Sequence, residues 1–172
     1  LISDFQAAIV SRLAAGRLIK GPPAVKVLSE RQSDLNQQIQ VILAKKVGNF
    51  GGGLALTVGT PKIGAGSGGS ERMIRATALV TVSENVALNQ GAQGTRIPAA
   101  DMALYVYCRL LRFAPPGWSE FSGVAGGDPI QFVGAGEVPE KGIALMVQYG
   151  VSLTAMTRIT YSEEVESGPE GQ

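Results

Sequence analysis

Apolar Phe5, Ile9 and Leu13 recur at every fourth position behind Ser3. A period near 3.6 after a capping hydroxyl predicts an amphipathic helix that stops near Gly16. Gly21-Pro22-Pro23 then forces an extended turn, and residues 24–28 suit a short strand. A second helical run, Leu35, Ile39, Ile42 and Leu43, follows Ser33 and Asp34, either of which can cap it. This helix is expected to reach about Lys46, with Lys45 and Lys46 favoured in its last turn by the helix dipole and Gly48 ending it. A third begins at Pro98 and carries Met102, Val106, Leu110 and Phe113 on one stripe until 115–117 closes it.

Between these runs the period falls to two. Residues 72–82 alternate strongly, with Ile74, Ala76, Ala78, Val80 and Val82 on one face and Arg75, Thr77 and Thr81 on the other. Residues 54–59 predict a strand that runs on past Pro61 to Ile63, and 64–70 a glycine- and serine-rich hairpin connection. Residues 129–133 suit a short strand. The apolar run 143–161 exceeds an ordinary strand unless Gly150 marks a bulge or bend. Trp118 and Phe121 are expected to anchor the irregular stretch 118–128 to the core. Three helices and about five strands, adjacent strands pairing, predict an α+β domain: a mainly antiparallel sheet with the helices packed on one side. The chain has 172 residues, enough for a single domain over 1–162 followed by an acidic, disordered tail at 163–172 that carries Glu163, Glu164, Glu166 and Glu170.

Composition narrows the function classes more than it names one. Charged residues make up 17% of the chain against a usual value of about 25%, which fits a surface partly covered by partners. The net charge of +1 gives no overall field for nucleic acid or an anionic membrane. Histidine is absent, which removes His-based triads, imidazole general bases and most zinc sites. The single cysteine, Cys108, cannot form an internal disulfide, and with no histidine to activate it a packing role is expected. The string 64–69 spells G-x-G-x-x-G, but a strand follows it, so no helix dipole would face a phosphate there. No catalytic, metal or cofactor site is expected, and the chain is read as not an enzyme. Lys45, Lys46, Lys62, Arg72 and Arg75 could gather beside the glycine loop, with Gly66, Ser67 and Gly68, as an interface or lumen lining; Phe50 is the one aromatic near them. No run of about 18 apolar residues and no signal-like N-terminus occurs, so membrane partners are not expected and the chain reads as cytosolic at synthesis.

One segment carries a resemblance. The long strand ends Leu79-Val80-Thr81-Val82-Ser83-Glu84-Asn85 and continues Val86-Ala87-Leu88-Asn89, an exit of the form V-x-E-N-x-x-L-N. An amphipathic helix over 4–18 and a short strand precede it; a Gly-Thr loop, a helix beginning Ala100-Asp101-Met102-Ala103-Leu104, and paired strands follow. In this order of elements, over residues 4–161, the chain resembles bacteriophage tail terminator or tail completion proteins. The resemblance implies a structural virion protein that forms a homo-oligomeric ring, commonly a hexamer, at the head-proximal end of the tail tube. Its implied partners are other copies of itself, the tail tube protein, the head-tail connector or neck protein, and DNA passing through the lumen. It implies no catalytic residue and no cofactor. Another neck or tail component is an alternative, as is a small ligand- or peptide-binding module using the loops at 64–70 and 118–128.

Overall fold

The computed structural model describes residues 2–15, 25–66, 73–124, 126–138 and 143–158. In chain order the elements are α1 (Ile2–Ala14), β1 (Val27–Ser29), α2 (Leu35–Ala44), β2 (Leu54–Val58), β3 (Lys62–Ala65), β4 (Met73–Asn85), α3 (Val86–Asn89), α4 (Ala99–Leu110), β5 (Ser122–Gly123), β6 (Ile130–Val138) and β7 (Ile143–Arg158). The seven strands form one sheet, antiparallel except where β1 joins β2.

Its spine is the pairing of β4 with β7, thirteen residue pairs in unbroken register from Met73↔Arg158 to Asn85↔Met146. β2 and β3 share the other edge of β4, β2 against its end at Glu84 and β3 against its start. Between Val58↔Val80 and Lys62↔Thr77, residues 59–61 face only Ala78 and Leu79, so the chain bulges by one residue there. Gly59 N–H still donates to Leu79 O at 2.8 Å, while Pro61 has no N–H to place. The run past Pro61 is therefore two strands on one edge. Beyond β7 lie β6 and, lower down, β5. Gly66 N–H donates to Met73 O at 2.9 Å, so the glycine segment connects an antiparallel hairpin; residues 67–72 themselves lie outside the described residues.

Alternation decides which side of the sheet each residue covers. Leu54, Leu56 and Val58, then Ala76, Ala78, Val80 and Val82, then Val151, Leu153 and Ala155 line one face and are buried beneath α1 and α4. The α1 residues Phe5, Ile9 and Leu13 are buried as their spacing requires. Phe5 stacks its ring 4.7 Å from Trp118 and 5.4 Å from Phe121, the two aromatics that tie down the irregular segment after α4. Alanines at 76, 78, 103 and 155 let the helices come close to the strands.

The expectation that all helices lie on one side fails at α2. Ile42 and Leu43 pack on Leu28, Ala55 and Ile143, which point to the opposite face. The physical reason is in β1 and β2: Leu28 and Ala55 break the polar half of the alternation, so these strands are apolar on both faces and need cover on both. α2 also ends at Ala44. Lys45 is extended (φ −157°, ψ 162°), so neither lysine sits in a last helical turn, and Gly48 (φ 57°) belongs to the following turn, which joins Val47 and Phe50. Ser3 lies within α1 rather than at its cap, and α4 ends at Leu110 with Phe113 packing on the core from beyond it. Gly150 marks no bulge. β7 is regular against β4, and the irregularities fall in its neighbour β6, at Phe132/Gly134 and Gly136/Val138. Cys108 is exposed rather than packed. The acidic tail at 163–172 lies outside the described residues.

Candidate functional site

The residues foreseen as one basic cluster divide between the two ends of the sheet. Lys62 on β3 stands opposite Thr77, and Gly64 opposite Arg75, so Lys62 and Arg75 are diagonal neighbours on the face not covered by α1 and α4. Both are exposed. Arg158 on β7 stands opposite Met73, which makes it the diagonal neighbour of Arg75 on the other side. Three cations thus cross three adjacent strands, with Thr77, Leu79 and Thr81 continuing the same face up β4. Two residues before Lys62, Thr60 N–H donates to the carboxylate of Glu30. Gly66 adjoins this corner; Ser67, Gly68 and Arg72 lie outside the described residues.

Lys45 and Lys46 do not join them. Asn85 Nδ2 donates to Leu43 O at 2.7 Å and Gly53 N–H to Ile42 O at 2.8 Å, which pins the end of α2 beside the end of β4. Arg75 is ten strand residues away, roughly 33 Å at the usual rise. Phe50 pairs with Val47 in the turn after α2, so it accompanies these lysines and not the hairpin. Arg158 escaped the sequence reading because its parity in the run 143–161 is visible, whereas the register that brings it beside Arg75 is a long-range fact.

The V-x-E-N-x-x-L-N segment forms a buried polar joint. Glu84, the last core-facing residue of β4, accepts from Ala99 N–H at 2.7 Å with one carboxylate oxygen and from Asn89 Nδ2 at 2.6 Å with the other. It therefore places negative charge at the N-terminus of α4, where the helix dipole favours it. Asn89 also donates to Ile97 O at 2.7 Å and accepts from Thr95 N–H at 3.1 Å and from the Thr95 hydroxyl. Asn85 caps α3 by accepting from Leu88 N–H. All four polar residues, Glu84, Asn85, Asn89 and Thr95, are buried. Glycines make room: a Cβ on Gly94 would lie 2.0 Å from Asn89 O, and one on Gly53 (φ 83°) would lie 2.5 Å from Asn89 N. These polar groups hold one another and the start of α4.

Between α2 and the sheet lies an open cleft of about 300 Å³ whose lining includes Asn36, Gln40, Thr57, Thr81, Ser83 and Gln148. Gln148 Nε2 donates to Ser83 Oγ at 2.9 Å. Among the described residues no ionisable side chain lines the cleft, so they offer hydrogen bonds but no group to move a proton. Among the described residues no group of three His, Cys, Asp or Glu is placed to hold a metal ion. Among the same residues no helix is long and apolar enough to cross a membrane. No protein-family model matches the chain, and no curated protein sequence matches it.

Proposed function

We propose that the chain is a structural virion subunit of the tail terminator type, which closes into a ring at the head-proximal end of a phage tail tube. It acts by self-association rather than chemistry, and its partners are further copies of itself, the tube protein and the connector or neck protein. One observation carries this reading. β4 and β7 are covered by helices on one face, while the lower half of the other face of the β3–β4–β7 sheet presents Lys62, Arg75 and Leu79 to solvent. A rigid, mildly basic wall of this kind suits a lumen through which DNA passes. Scattered cations attract phosphates in any sequence, and few of them hold the polymer weakly enough to let it move.

Negative-stain microscopy of the purified chain, with its mass by light scattering, tests the proposal. Closed rings with a central hole are expected. A monomer at all concentrations up to the millimolar range would overturn it. A ligand-binding module is the second reading, and the cleft beneath α2 is the observation that favours it; its mark would be a monomer whose melting temperature rises with a small polar ligand.

A further inference from the structure

Among the described residues β1 and β3 carry an unpaired outer edge on one side of the sheet and β5 and β6 on the other; β3, with four residues, and β6, with nine, are the longer on their sides. β3 borders β4 on one side, and β6 borders β7 on the other. Both carry apolar side chains in solvent: Phe132 and Val133 on β6 are 59% and 62% exposed, and Ile63 on β3 is 45% exposed. Within β6 there is no lysine and no proline, the residues that usually protect such an edge. We propose that β6 of one copy pairs with β3 of the next, so that a single antiparallel sheet runs through the assembly. The proposal rests on the self-association reading above and assigns its contact.

Strand direction permits this joint. β3, β4, β7 and β6 alternate in direction, so the first and last strands of the row are antiparallel. Copies standing in the same orientation can therefore meet β6 to β3 without breaking the pattern. Ile63 pairs with Ala76, and Phe132 pairs with Tyr149; Ala76 and the partner of Tyr149, Val82, both belong to the core-facing set. Placing Ile63 against the partner's Phe132 therefore puts both side chains on the same face and sets the four residues of β3 against 130–133.

Geometry favours closure. Ile63 lies level with Ala76 and Phe132 with Val82, a stagger of six residues or about 20 Å, across four strands that span about 19 Å. Strands inclined by about 45° absorb such a stagger, close to the tilt found in closed barrels. One edge of four residues buries well under the roughly 1,000 Å² that a stable pair needs, so isolated dimers are weak and a ring, with two such edges per copy, is the stable form.

Thiol cross-linking tests the contact. In a Cys108→Ser background, Ile63→Cys with Phe132→Cys is treated with a bismaleimide of about 10 Å reach, which tolerates a slip of two or three residues. A ladder of covalent oligomers ending at the ring size is expected, while Phe132→Cys alone gives none. Val133→Lys and Ile63→Lys, both at exposed positions, are each expected to give folded monomers. Dimers from Phe132→Cys alone, with Ile63→Lys still assembled, would replace the proposed contact by a β6–β6 pair. Wild-type rings with no ladder and with both lysine variants assembled would overturn the contact and leave the ring intact. A monomeric wild type would overturn both. The cysteine pair decides the matter even if a lysine variant fails to fold.

Discussion

Replacing Asn89 by alanine tests whether the polar joint after β4 holds the fold. Asn89 is fully buried and makes four hydrogen bonds: to Glu84, to Ile97 O, and two from Thr95. Alanine leaves one oxygen of Glu84, the Ile97 carbonyl and the Thr95 N–H without partners in a site too closely packed by Gly53 and Gly94 for easy repair. Each stranded group costs about 1–3 kcal/mol. Glu84 keeps its bond to Ala99 N–H and the Thr95 hydroxyl can turn, so the sum is about 3–5 kcal/mol. That is a large part of the 5–15 kcal/mol that ordinarily holds a domain. Glu84→Gln should cost less, about 1–3 kcal/mol, because its amide can still accept from Ala99 N–H but turns an N–H₂ toward the N–H₂ of Asn89. Urea unfolding followed by circular dichroism, at one protein concentration for all variants, measures both. A loss below about 1 kcal/mol for Asn89→Ala, with unchanged denaturant slope, would refute the claim that this network bears on stability.

Gly94→Ala should be at least as damaging, since its Cβ would meet a backbone oxygen at 2.0 Å; the yield of folded protein and its melting temperature report this, and a native-like value would contradict it. Phe5→Ala removes a fully buried ring from the Trp118 and Phe121 cluster and should cost about 3–5 kcal/mol in the same urea assay. Arg75→Glu with Lys62→Glu should leave the melting temperature within a few degrees of wild type, yet impair tail assembly or head joining; full infectivity of particles carrying both changes would remove the role assigned to this face. Cys108 should react with iodoacetamide in the folded protein, and Cys108→Ser should change stability by no more than about 0.5 kcal/mol.

Where one face of an element meets the core, the sequence was readable. Phe5, Ile9 and Leu13 on α1 and the even positions of β4 went where their periods sent them, because a single buried side leaves a clean repeat. The two-sided strand β2 did not announce its second helix. Leu54-Ala55-Leu56 reads simply as apolar, and only Ala55 touching the α2 cluster shows that both faces are covered. The candidate basic cluster failed for a different reason. Lys45 and Lys62 are 17 positions apart in sequence, but the intervening chain traverses the sheet, so nearness along the chain said nothing of nearness in space. The V-x-E-N-x-x-L-N segment stands out as a signature, and its chemistry lies in closing the fold, since its Glu84, Asn85 and Asn89 side chains are consumed by neighbours.

The spine pairing also sets the order in which the molecule can be made. Val80 meets Val151, 71 positions later, so β4 emerges from the ribosome with one whole edge unmatched. At ordinary synthesis rates of about 5–20 residues per second, that edge waits roughly 4–14 seconds for its mate. During the wait α1 has only half a sheet to lie on, and for about the first half of it Phe5 has neither Trp118 nor Phe121. The nascent chain is thus a sticky ribbon for seconds. Production at lower temperature, or with chaperones that hold extended apolar segments, should raise the yield of folded protein more than any change to its finished surface.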